Sequence, residues 1–382
     1  MDAILLQNLI QKNHKLIFYS SFGVLSLFYL FFGKSIVDPD SYLYLAYLKY
    51  NIDLPFSNWI LFLDYFRPFF LEYGLFAVRF FQIILLFVSM YFLERTIKLV
   101  SSISFLPFVF IFPYFFIDFF RFENEIIAYP FLFISLFFIV RASIKFSISS
   151  AIASLISFGI AFAFWKGSLI LLPVIFFFFP FTIILFPILI IFLFFKPSFL
   201  GETFSYFLGS SDRALESSAL GALLPLVLFL PALASGSVFL YPMLFMVLLA
   251  LLKYKFITFA VIFASLCLSV LIQKEPVFNW VFVIALICVP ISFIGVGLAT
   301  LDTTQIDFVQ RSIDYSIAND ANFYTDWSFG YYSDYLGYPS KYNGGYYSPL
   351  DINGFPKGFV LTQLSCDKIV FDDNFVRLCD YR

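Results

Sequence analysis

Between about residue 16 and residue 300 the chain is a succession of long apolar runs broken by short polar islands. Uncharged stretches such as Leu99 to Ile117, Phe146 to Trp165 and Val281 to Ala299 each approach the roughly 20 residues that carry a helix across a hydrocarbon core. The pattern predicts a first span over about Leu16 to Phe32 and a second over about Leu75 to Leu93. A third ends at the Asp118 to Glu125 stretch, a fourth reaches Arg141 and Lys145, and a fifth ends at Trp165 and Lys166. Two later regions, Gly167 to Phe195 and Ser218 to Leu252, each read as one span or two, with Pro173, Pro180 and Pro187 permitting a break in the first. Two spans in each give eleven, one in each gives nine, and either odd count leaves the two ends of the chain on opposite sides.

Polar residues between the runs set an orientation. Lys12 and Lys15 precede span one, Arg95 and Lys98 follow span two, and Arg141 and Lys145 follow span four. The intervening turns, Gly33 to Gly74 and Asp118 to Glu125, carry more acid than base. The positive-inside rule therefore places the N-terminus in the cytoplasm and the acidic turns outside. The segment Gly33 to Gly74 is long, and apolar patches such as Ile60 to Leu63 predict short helices lying at the interface.

Composition agrees with a membrane protein: 62% of residues are hydrophobic and 13% charged, against about a quarter charged in soluble domains. The 60 Phe residues fall mostly in the apolar runs and read as lipid-facing bulk. Met1 to Lys15 is polar and mixed, so the first run predicts an anchor and no cleaved leader. Residues 301–382 differ, with eleven Asp against six Lys plus Arg, and predict an aqueous tail domain on the outer side. Cys366 and Cys379 form a local pair able to close a disulfide in an oxidising space, whereas Cys267 and Cys288 lie in apolar runs. The expected fold class is an all-α polytopic membrane protein of about eleven spans (nine to twelve) over residues 1–300, followed by a small extracytoplasmic α/β domain over residues 301–382.

Four polar islands could carry chemistry. Asp38-Pro39-Asp40-Ser41-Tyr42 follows span one, and its paired carboxylates suit Mg²⁺ or Mn²⁺. The plain structural account makes Asp40 an N-cap for a helix starting at Ser41. Arg121-Phe122-Glu123-Asn124-Glu125 precedes span four, where acids are also stabilised by the helix dipole. Ser210 to Ser217 contains Arg213 and Glu216, and a loop there needs polar residues in any case. Trp165-Lys166-Gly167 combines an interfacial aromatic with a cation that can snorkel. The single His14 precedes the first span, so chemistry on the outer face falls to carboxylates, Arg, Lys, Tyr or a bound metal.

Taken in order, the islands and the tail resemble the membrane-embedded catalytic subunit of oligosaccharyltransferase, in the GT-C glycosyltransferase superfamily. That family carries an Asp-Pro motif in its first outer loop, and Asp38-Pro39-Asp40-Ser41-Tyr42 stands in that place. A second motif, Ser-Tyr-Asp-Asn-Glu-x-Ile-Ala, is matched by Arg121-Phe122-Glu123-Asn124-Glu125-Ile126-Ile127-Ala128. Trp165-Lys166-Gly167-Ser168 is similar to a Trp-Gly-Gly-Tyr element, and Glu216 loosely matches a late Ser/Thr-x-x-Glu element. Thr325-Asp326-Trp327-Ser328-Phe329-Gly330 aligns with a Trp-Trp-Asp-Tyr-Gly motif that opens the outer domain, keeping its second Trp and its Gly.

The resemblance implies a GT-C-like fold and transfer of a sugar or oligosaccharide from a polyprenyl-linked phosphate donor to an outer-face acceptor, protein asparagine first. Asp38, Asp40, Glu125 and Glu216 would be catalytic. Asp38, Asp40, Glu123 and Glu125 would hold a divalent cation, Mg²⁺ or Mn²⁺. Arg121, Lys166 and Arg213 would meet the donor phosphate, and Trp327, Ser328, Phe329 and Gly330 would meet the acceptor. Membrane lipid is the other expected partner, and no nucleic acid is expected. Asp326, Ser328 and Phe329 replace family residues, which opens the alternative of a glycan or lipid acceptor, or of a polysaccharide polymerase. A transporter is the non-enzyme alternative, but it calls for ionisable groups at mid-membrane, and here the acids gather beside loops.

Overall fold

The computed structural model describes residues 16, 19–20, 22–36, 39–54, 57–101, 119–178, 180, 229–252, 256–275, 301–325, 327–338, 358–362, 366–372 and 376–382. The chain divides into two compact units, one of Met1–Leu27, Phe81–Phe119 and Asn124–Val296, the other of Phe28–Phe80, Phe120–Glu123 and Gly297–Arg382. The second unit thus joins the acidic loop after span one to the tail, two regions far apart in sequence.

Helices of the described chain begin with α1 (Phe22–Phe32), α2 (Pro39–Tyr50), α3 (Asn58–Tyr73) and α4 (Leu75–Ile97). They continue with α5 (Glu125–Lys145), α6 (Ile148–Phe164), a 3-10 turn (Lys166–Leu171), α7 (Leu172–Phe178), α8 (Leu240–Leu252) and α9 (Ile257–Lys274). In the first unit α5 and α6 pack along a seam of small residues. Ser150, Ala151, Ser154, Ser157 and Ala161 form the buried face of α6, while Ile148, Ile152, Ile156 and Ile160 are exposed on the other. Small residues let helix backbones approach, and hydroxyls then bond between them. Ser154 Oγ donates to the Ser135 carbonyl at 2.9 Å, with the two hydroxyls also 2.9 Å apart. Helix α9 is buried almost all round and its serines donate back to their own helix, Ser265 Oγ to the Val261 carbonyl at 2.7 Å and Ser269 Oγ to the Ser265 carbonyl at 3.0 Å.

Along α4 the exposed residues Phe76, Phe80, Ile84, Phe87 and Tyr91 recur at steps of three and four, one apolar stripe facing outward. Such stripes on α4 and α6 belong to helices whose solvent is lipid. The protein is a helical membrane protein. Among the described residues three helices are long and apolar enough to cross a bilayer, α4, α5 and α9, with further apolar helices of 10 to 17 residues at α1, α6, Lys166–Phe178 and Leu240–Ala250.

This corrects the count of eleven spans, which the described residues do not carry. Two runs that read as one span or two in sequence are each interrupted in space. The run through Ser218 to Leu252 breaks at residues 234–239, where Gly236 takes a left-handed φ of 54°. The run after Trp165 opens with six residues of 3-10 helix before α7. The third span, much of residues 167–195 and residues 276–300 lie outside the described residues.

In the second unit the loop after span one forms two helices, in keeping with the short helices predicted there. Ser57 caps α3, accepting from the Ile60 N–H at 3.2 Å. Tyr47 donates to Asp64 at 2.5 Å and Arg67 to the Leu48 carbonyl at 3.1 Å, holding α2 to α3. The tail adds α10 (Thr304–Ala318), β1 (Asn322–Thr325), α11 (Trp327–Leu336), β2 (Gly358–Thr362), β3 (Ile369–Asp372) and β4 (Arg377–Asp380). The sheet order is β1-β2-β4-β3, with β1 parallel to β2 and the other neighbours antiparallel. The tail is therefore α/β, the class expected for it. Tyr315 of α10 packs its ring 5.1 Å from both Phe359 and Phe371, and Cys366 is bonded to Cys379. Asp380 is 3% exposed at its side chain and bonds Lys368 at 2.5 Å and Arg382 at 3.0 Å, which together hold its carboxyl well below the usual range.

Candidate functional site

Helix α2 starts at Pro39, the first helical position that a fixed φ favours. Asp40 is in its first turn and half-buried, so it is not the N-cap of a helix from Ser41. The next residue makes the decisive contact. Ser41, fully buried, accepts the backbone N–H of Phe122 at 2.8 Å across 81 residues of sequence. The Phe122 ring, itself fully buried, stands 5.3 Å from Trp59 and 5.9 Å from Phe66 of α3. Two helices of the loop thus grip the residue between Arg121 and Glu123. Asp40 and Glu123 are each the chain neighbour of a bonded residue, and Arg121 and Glu123 are both half-buried.

Glu125 belongs to the first unit. It is the first residue of α5 and only 5% exposed, where the helix dipole favours its charge. The side chain of Asn124 donates to the Phe164 carbonyl at 3.0 Å, fixing the start of α5 to the end of α6. Trp165 follows at once, buried, with its ring 5.7 Å from Tyr129 of α5 and 6.3 Å from Phe259 of α9. Gly167 lies against that ring, and a Cβ there would come within 2.2 Å of it. Lys166 points outward, and Ser168 is buried with no hydrogen-bond partner for its hydroxyl. Glu125 and the Trp165-Lys166-Gly167 element thus share one end of the α5–α6 pair.

The tail motif opens α11, with Phe329 and Gly330 buried; of Trp327 and Ser328 the backbone alone is described. Helix α11 packs on α2, the helix that carries Asp40. Tyr42 stands 4.5 Å from the Tyr332 ring and 5.2 Å from the Tyr335 ring, and Lys49 donates to the Tyr335 carbonyl at 3.2 Å. Burial pushes the Tyr42 hydroxyl up to about 12. Gly337 ends α11 with a φ of 88°, and the Tyr338 N–H closes the turn onto the Ser333 carbonyl at 3.0 Å. Tyr50 fills the space where a Gly337 side chain would stand.

Asp38, Arg213 and Glu216 lie outside the described residues. The donor set at hand, Asp40 and Glu123, is all oxygen, which fits a hard divalent cation. Among the described residues no group of three or more His, Cys, Asp or Glu side chains comes together. Sequence reasoning passed over Ser41, Tyr42 and Asn124, which hold the islands in place, and Arg79, a lone cation inside an apolar run. Compared with models of known families, with characterised proteins and with solved structures, the chain matches none.

Proposed function

We propose that the protein is a membrane glycosyltransferase that moves a sugar or oligosaccharide from a polyprenyl-linked phosphate donor to an acceptor on the outer face. The observation that carries this reading is the Ser41–Phe122 hydrogen bond, which seats the Asp40 turn beside the Arg121–Glu123 segment. Acids on two segments joined by that bond, with Arg121 in the same segment as Glu123, suit a reaction whose leaving group is a lipid-borne phosphate. Under this reading Asp40 and Glu123 hold a divalent cation, with Asp38 and Glu125 adjacent in sequence. Such an ion supplies Lewis-acid stabilisation of negative charge on the phosphate. Arg121 adds a fixed positive charge, and the buried aromatic grip on Phe122 fixes where the backbone presents it.

The fold belonging to this reading is GT-C-like, with the tail outside the cytoplasm. The bonded Cys366–Cys379 pair supports an oxidising surround for the tail. Docking of α11 on α2 supports an acceptor role for the Trp327–Gly330 segment, because it ties that segment to the helix bearing Asp40. Protein asparagine is the first acceptor. A glycan or lipid acceptor is the second, favoured by Asp326, Ser328 and Phe329 where the resembled motif has Trp, Asp and Tyr.

The test uses full-length protein in lipid nanodiscs with a polyprenyl-diphosphate-linked oligosaccharide and Mn²⁺. Peptides with and without an Asn-x-Ser/Thr site are offered separately, and glycopeptide is read by mass spectrometry. Product on the site-bearing peptide alone supports the asparagine acceptor. Donor consumption without glycopeptide points to the glycan or lipid acceptor, and an intact donor under all conditions refutes the transferase.

A further inference from the structure

Arg79 lies four residues into α4, in the second unit, and is 6% exposed. Its Nε meets no hydrogen-bond partner. Among the described residues the titratable groups acting on its charge are three phenols, Tyr29, which also hydrogen-bonds it, Tyr42 and Tyr335. The Tyr29 ring sits 5.7 Å from the guanidinium carbon. Gly33 leaves the room: a Cβ there would stand 3.1 Å from Nε and 3.2 Å from Cζ.

A guanidinium stays charged in any protein environment, and burying it without an opposite charge is expensive. Phenols solvate such a charge without cancelling it, and burial keeps the Tyr42 hydroxyl protonated. Tyr42 Oη already accepts from the Ile36 N–H at 3.1 Å, which leaves its own proton to donate. Among the described residues no carboxylate balances that charge, so an anion from outside would complete the site. Four residues at 1.5 Å each put Arg79 about 6 Å from the start of α4, a depth near the lipid headgroups. A planar fork of N–H donors with phenol hydroxyls beside it matches phosphate oxygens.

We propose that Arg79, with Tyr29, Tyr42 and Tyr335, forms a binding site for the phosphate of a membrane lipid. Only the naming of that lipid as the sugar donor rests on the transferase reading; an anionic phospholipid headgroup is the other source of the same chemistry. The site requires no transfer to be detected, so it is tested by binding.

Full-length protein in neutral phosphatidylcholine nanodiscs is titrated with polyprenyl phosphate, uncharged polyprenol and phosphatidylglycerol, and retained lipid is read by native mass spectrometry. Wild type should hold one or both phosphate lipids and release polyprenol. Arg79→Gln should weaken phosphate-lipid binding about tenfold or more, as expected for loss of charge-assisted hydrogen bonds. Arg79→Lys should fall between, since a point charge replaces a fork, and Tyr42→Phe should lose a few-fold. Preference for polyprenyl phosphate assigns the site to the donor, and preference for phosphatidylglycerol assigns it to bulk lipid. Retention by correctly melting Arg79→Gln equal to wild type, or polyprenol held as tightly as its phosphate, overturns the site. Arg79-dependent binding in a protein that transfers nothing refutes the transferase reading alone.

Discussion

Helix α6 of the first unit and the aromatic-cored part of the second bury opposite kinds of surface. In the first, α6 turns Ser150, Ser154 and Ser157 inward and Ile152, Ile156 and Ile160 outward. In the second, aromatic rings go inward, as with Phe122 between Trp59 and Phe66, while charged residues such as Lys368 stand out. An inside-out helix makes sense where lipid is the solvent, because apolar burial gives no gain there and close backbone packing with interhelical hydroxyls takes its place. The tail follows the rule of water, with packed rings of Tyr315, Phe359 and Phe371, a disulfide and ion pairs. The candidate chemistry, Asp40 and Arg121 to Glu123, lies in the second unit and adjoins apolar helices in the sequence.

The strongest way to break this contrast is Phe122→Ala. Emptying a fully buried ring should cost about 3–5 kcal/mol, seen as a large fall in melting temperature. Ile156→Ala, on the exposed face of α6, should stay within about 0.5 kcal/mol of wild type. Next in size is Ile156→Lys. If that face meets lipid, membrane insertion measured in microsomes should suffer by about 2.5–3.5 kcal/mol near mid-span; unchanged insertion would mean the stripe faces water.

Removing the disulfide with Cys366→Ser and Cys379→Ser together should lower stability by about 2–4 kcal/mol. Limited proteolysis should then cut residues 358–382 first, while α5 and α6 resist. The smallest effect is acid sensitivity. Because Arg382 and Lys368 depress the Asp380 carboxyl, its contribution is complete above the unfolded value of about 3.9 and is lost as pH falls below it. Melting scans from pH 5 to pH 2 should therefore show a dip that Asp380→Asn flattens by a few degrees.

Long single-purpose signals were legible in the sequence. The apolar runs gave α4 its start at Leu75 and α5 its end at Lys145, the Cys366–Cys379 pair was readable from spacing, and the tail was recognisably α/β. Breaks in two later runs were allowed for, but not their place or form, because hydropathy does not register the left-handed turn at Gly236 or the 3-10 segment after Trp165. The islands themselves stood out by charge, but what joins them did not. Ser41 and Asn124 act through single hydrogen bonds to backbone far away in sequence, and a serine or asparagine in a motif has no visible preference for a distant partner. Arg79 was hidden by the opposite effect, since one cation in the apolar run Leu75 to Leu93 leaves the apolar average intact.

The account stands on the acids beside the Ser41–Phe122 bond acting on a phosphate leaving group. Transfer by Asp40→Asn and Glu123→Gln, each in nanodiscs and each checked for an unchanged melting temperature, measures this most directly. Each change removes a negative charge at nearly constant shape, and each should lower turnover at least about tenfold, with partial recovery at high Mn²⁺, because ligand charge sets the affinity of a hard-cation site. Transfer near the wild-type rate by both folded variants would contradict the account and leave the acids as helix-terminal charges.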